Sequence, residues 1–108
     1  MKCLKILAVV AMGLLAMKVK ADTAVVPLHL EKMKALALES IPPWPEELVL
    51  EGTNQHWQKE LHRGEVAVVL YESMPAVIDV SYPFPYDEFV LVLEGEVTLT
   101  DLEGNAQT

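Results

Sequence analysis

The sequence predicts an all-β domain of the sandwich or barrel type. Short apolar or alternating runs recur from residue 50 onward: "HWQKEL", "EVAVVLYE", "AVIDVSY", "EFVLVL" and "EVTLT". Turn formers separate them, at "HRG", Pro75, "PFP", Glu94-Gly95 and "DLEGN". Short strands between regularly spaced turn signals are the pattern of such folds. A chain of 108 residues holds one domain of this kind at most.

The N-terminus reads differently. "MKCLK" carries two lysines, "ILAVVAMGLLAM" is an apolar or small run from Ile6 to Met17, and Val19 and Ala21 suit a peptidase cut after Ala21. A positive start, a short apolar core and a small-residue cleavage site are the pattern of a secretory leader. The run is shorter than the about 20 residues that span a bilayer. An uncleaved N-terminal anchor is the alternative. Residues 1–21 are therefore expected to be a signal peptide, and the protein periplasmic or secreted. Cys3 precedes the apolar core and reads as incidental.

Residues 22–49 are expected to form an N-terminal extension. Leu30, Met33, Ala37, Leu38 and Ile41 fall on a helical stripe, while "LHL" and "LAL" alternate, so a short helix and an edge strand both fit. "IPPWPEE" breaks regular structure, because proline lacks a backbone donor. Trp44 is expected to pack this segment on the body, with ligand stacking as the lesser alternative.

Residues 50–108 are the expected β-domain. "HWQKEL" pairs with "EVAVVLYE" across "HRG". In "AVIDVSY", Ala76, Ile78, Val80 and Tyr82 share one face and Val77, Asp79 and Ser81 the other. "EFVLVL" is apolar at both parities, as in a strand covered on both sides. Glu94-Gly95 then turns the chain into "EVTLT", with Val97 and Leu99 inward and Thr98 and Thr100 outward.

Charge excludes some functions. Beyond Ala21 all 16 acids face only Lys32, Lys34, Lys59 and Arg63, a net charge of −12. That surface repels phosphate backbones and anionic lipid heads, so neither nucleic acid nor a membrane surface is an expected partner after leader removal. No cysteine follows Cys3. Stability must come from burial, and so small a domain buries only about 60% of its unfolded surface.

Glu88 and Gly95 enclose six residues, and "YDEFVLVLEGEVTLTDLEG" surrounds them. On these residues the chain resembles the cupin superfamily, from about Gly64 to Gly104. The resemblance implies a jelly-roll barrel (double-stranded β-helix), here its N-terminal part. The family's first motif, G-x5-H-x-H-x3/4-E-x6-G, is matched in its E-x6-G half. Glu88 is the one metal-ligand position retained. The two histidine positions hold Tyr82 and Phe84, or Ser81 and Pro83 with the longer gap, and none offers the imidazole that holds a transition metal. The second motif is not met before Thr108. Truncation of a longer protein is the expected reason, with completion of the sheets by a second copy as the alternative.

No catalytic residue, metal site or cofactor is therefore expected. Glu88 reads as a carboxylate at the barrel mouth, solvated or hydrogen-bonded, rather than as a metal ligand. Asp87 reads as a turn or edge residue. His56, Glu60 and His62 share parity on a strand and so one face; a small metal or acid–base cluster and a plain solvent-facing surface both fit, and the plain surface is favoured. His29 is isolated. Tyr82, Phe84, Tyr86 and Trp57 could line a small apolar pocket or pack as core and rim. The expected function is an exported small-molecule-binding or accessory domain without a working metal site. The alternatives are an inactive remnant of a metal-dependent enzyme, or an interaction protein using an open strand edge. A small ligand and a second copy are the expected partners.

Overall fold

A computed structural model of the chain describes residues 3–11, 27–81 and 85–108. The described residues are predominantly antiparallel β-structure, in line with the all-β expectation. The strands are β1 (Leu4–Ala11), β2 (Glu39–Ile41), β3 (Val49–Gly52), β4 (His56–Arg63), β5 (Val66–Ser73), β6 (Ala76–Ile78), β7 (Asp87–Glu94), β8 (Leu99–Thr100) and β9 (Ala106–Gln107). One short helix, α1, spans Leu30–Ala35. The main sheet has the order β2-β4-β5-β1-β7, and β3-β6 and β8-β9 form two small pairs.

β1 is the strand that the sequence hid. Leu4–Ala11 lies between β5 and β7 and pairs antiparallel with both. A central strand needs apolar residues at both parities, and so does the core of a leader. Composition alone does not separate the two uses, and the structure describes the first.

The core forms where three elements meet. Leu7 of β1 is opposite Leu70 of β5, so the two share a face. Met33 of α1 completes the buried cluster, and Leu38, Leu61, Val68 and Leu93 pack around it. Full burial of each such side chain contributes roughly 1.5–3 kcal/mol. At six residues, α1 is too short to be stable on its own, and Met33 is the anchor that holds it. Of the expected stripe, Leu30 and Met33 lie on the helix, which ends at Ala35; "LAL" is irregular, and a three-residue edge strand, β2, then pairs with β4.

The β4–β5 hairpin forms as expected, with Trp57 opposite Glu72 and Lys59 opposite Leu70. "IPPWPEE" is irregular up to a 3-10 turn at Glu46–Leu48. Among the described residues "AVIDVSY" yields a shorter strand than expected, Ala76–Ile78, which pairs with β3. That pairing needs Gly52. Its φ is 91°, and a Cβ there would sit 2.3 Å from the Pro75 carbonyl oxygen.

The C-terminal third departs from expectation. β7 does not form a hairpin with the "EVTLT" segment; its partner in the sheet is β1. Gly95, with φ 84°, instead takes the chain past the Cys3 carbonyl, which a Cβ would meet at 3.0 Å. Leu99 and Thr100 pair with Ala106 and Gln107, closed by the expected "DLEGN" turn. Asp101 builds that turn: its Oδ1 accepts from the Glu103 and Asn105 amides at 2.9 Å each. Leu99 is exposed rather than inward, and Val97 is half-buried. Nor is "EFVLVL" covered on both sides: Phe89, Val90, Leu91 and Val92 are 68%, 48%, 57% and 38% exposed.

Candidate functional site

Glu88 lies on β7 opposite Val10 of β1, and its side chain is exposed. Asp87 opens the same strand opposite Ala11. Of the positions where the resemblance places histidines, Ser81 is exposed in a loop, while Tyr82, Pro83 and Phe84 lie outside the described residues. Among the described residues no three His, Cys, Asp or Glu side chains converge as a metal site would need.

The aromatic residues considered as a pocket lining spread across the sheet. Trp57, half-buried, is on β4 beside β2. Tyr86 directly precedes β7. β5 and β1 stand between those strands, and three strand steps span about 14 Å.

His56, Glu60 and His62 of β4 do not all share a face. Glu60 is opposite Val69 but His62 is opposite Val68, with a register shift between them. Val68 and Val69 point to opposite faces, so the bulge sends Glu60 and His62 apart. Glu60 accepts a hydrogen bond from Arg63 Nε at the surface, and His56 turns inward.

Among the described residues His56 is the most deeply placed polar one, 1% exposed. Its Nδ1 lies 2.6 Å from the Tyr71 hydroxyl and its Nε2 lies 2.8 Å from Asn54 Oδ1. The two rings stack, with centroids 5.8 Å apart. Hydrogen bonding places the Nε2 proton. Trp44 N–H donates to Asn54 Oδ1 at 3.0 Å, and Asn54 Nδ2 donates to the Trp44 carbonyl at 2.7 Å. Asn54 Oδ1 is therefore an acceptor, so His56 Nε2 carries the hydrogen. In the neutral imidazole Nδ1 then accepts from Tyr71 O–H. Burial pushes its pKa below the ordinary histidine value, which agrees with that assignment. Every polar atom of this cluster is spent on a neighbour. The cluster clamps the proline-rich segment, through Trp44, onto the β4–β5 hairpin. The expected packing role of Trp44 thus works through its backbone, with the indole half-buried. His56 carried a sequence signal, but Asn54 and Tyr71 carried none, because a loop amide and a strand tyrosine have no spacing of their own.

Two surface features remain. Glu39, Ser40, Ile41, Gln58, Lys59 and Glu60 line an open groove of about 330 Å³ along β2 and β4. At the opposite end of the sheet, the apolar side chains of β7 stand exposed on both faces. Comparison with protein-family models, with curated proteins and with solved structures finds no match for this chain.

Proposed function

We propose that this chain is a cupin-like accessory domain without catalytic or metal chemistry, and that it acts through protein contact at the outer edge of β7. The carrying observation is the exposed Phe89–Val92 run on the last strand of the sheet. A long apolar edge strand presents unpaired backbone groups and is a template for another strand. β2, at the other end, is three residues long and begins with Glu39, which blunts that edge. The cupin-like part of the reading rests on the Glu88-to-Gly95 spacing and on the antiparallel sheet that holds it.

The partner is a second copy, joined by β7–β7 pairing about a two-fold axis. Centring the pair on Val90 sets Glu88 opposite Val92 and Glu94 opposite Tyr86, so no carboxylates face each other. Centring on Leu91 would oppose Glu88 and Glu94, and like charges directly opposite are destabilising. Sedimentation velocity over a concentration series tests this. Wild type dimerises, more strongly at higher salt because the net charge of −8 on each chain is screened, while Leu91→Lys stays monomeric with unchanged circular dichroism. A wild type monomeric throughout, or a stoichiometric bound transition metal with turnover, overturns the reading.

A small-molecule ligand is the second reading, favoured by the β2–β4 groove. Its test is thermal stabilisation by a compound that Lys59→Ala abolishes.

A further inference from the structure

β1 sits in the sheet as an inserted part. Its whole length pairs with β5 on one side, and Lys5–Ala11 pairs with β7 on the other, both antiparallel. Without it β5 and β7 have no common partner in the sheet order. Leu7 and Ala8 are 8% and 5% exposed, so the strand fills the core rather than lying on it.

The chemistry of the seat is specific at one end. Lys5 Nζ lies 3.8 Å from Glu72 of β5 and 3.9 Å from Glu94 of β7. It also donates to the Lys34 carbonyl at the end of α1, at 3.3 Å. One ammonium group thus joins both walls of the seat and the helix above it. Beyond Lys5 the seat takes apolar residues at both parities, Ile6 to Val10, with a small side chain at Ala8. That sequence is also the positive start and apolar core of a leader, whose expected cut after Ala21 would leave β1 held by contacts alone.

We propose that the space between β5 and β7 is a binding slot for a lysine-led apolar strand, and that residues 4–11 keep it filled after the covalent link to the rest of the chain is cut. The mode is strand addition, with main-chain hydrogen bonds giving affinity and the paired glutamates giving direction and register. The slot is on the inner side of β7, so it stands independently of pairing at the outer edge.

The test uses the full chain with residues 22–25 replaced by a site-specific protease sequence, folded and then cut. The N-terminal piece co-elutes with the body on size exclusion. A fluorescein-labelled peptide of residues 3–12 then exchanges into the slot, read by anisotropy. The same peptide with Lys5→Glu binds about tenfold more weakly, because two partly exposed attractive pairs become repulsive. Three results each overturn the proposal. The piece leaves while the body keeps its circular dichroism or precipitates; the labelled peptide fails to exchange; or the Lys5→Glu peptide binds as well as the parent.

Discussion

Tyr71→Phe asks one question of the His56 cluster. The substitution keeps the ring that stacks on His56 at 5.8 Å and removes the hydroxyl that donates to Nδ1 at 2.6 Å. His56 is 1% exposed, so water does not replace that donor. Changing tautomer does not help either. A hydrogen on Nδ1 would face the phenyl edge and would strip Asn54 Oδ1 of the Nε2 donor. One buried acceptor left unpaired costs about 1–3 kcal/mol, a large share of the roughly 5–15 kcal/mol that holds a domain together. In urea, with m of about 1–3 kcal/mol/M, the midpoint falls by about 1 M. Trp44 and Trp57 fluorescence follows the transition. Asn54→Ala costs more, since one amide serves His56 and both backbone groups of Trp44. A Tyr71→Phe midpoint equal to wild type within error refutes the reasoning. So does an imidazole nitrogen spectrum with the hydrogen on Nδ1.

The same cluster makes stability depend on pH. Burial holds the His56 pKa below the ordinary 6.5, so the unfolded chain binds a proton more readily than the native one. Stability is full above about pH 6.5 and falls as pH drops through that value; urea midpoints from pH 8 to pH 5 show the decline, and His56→Gln flattens it. Leu70→Ala, at 1% exposure in the centre of the core, costs about 2–5 kcal/mol in chemical denaturation. Gly52→Ala costs more than the about 1 kcal/mol of an open left-handed site, because its Cβ meets the Pro75 carbonyl oxygen at 2.3 Å; hydrogen exchange shows β3 and β6 released first.

The sequence disclosed the parts of the fold that depend on local chemistry. The β4–β5 hairpin followed from two alternating runs around a short turn, and "DLEGN" turned where Asp101 could cap its own loop amides. What depended on distant partners stayed hidden. The even spacing of His56, Glu60 and His62 promised one shared face, and a single bulge between Glu60 and His62 undid it. "EVTLT" alternates like a strand beside β7, but the chain leaves Gly95 next to Cys3, and Leu99 and Thr100 pair with Ala106 and Gln107 instead. Asn54 was invisible for a related reason. Its role is set by the Trp44 backbone, ten residues back across a proline-rich segment.

β1 and β7 are two sides of one physical problem. A strand with the composition of "EFVLVL" needs cover, and the sheet supplies it on the inner edge through β1. Beyond the slot's seated strand, the outer edge still presents apolar side chains to water on both faces. The two edges share the same side chains and differ in the charge of the strand that pairs there. The inner edge ends at Glu94 facing Lys5, with Glu72 across the seat, so a basic strand gains there. The outer edge has Asp87, Glu88 and Glu94 at its ends and apolar residues between. A second copy brings the same acids and no lysine on its own β7. The proposed self-pairing at the outer edge is therefore expected to be weaker than β1 docking at low salt, and to gain from screening while the Lys5-anchored strand loses. Opposite salt responses separate the two edges even in one preparation, because a single contact surface responds in one direction only.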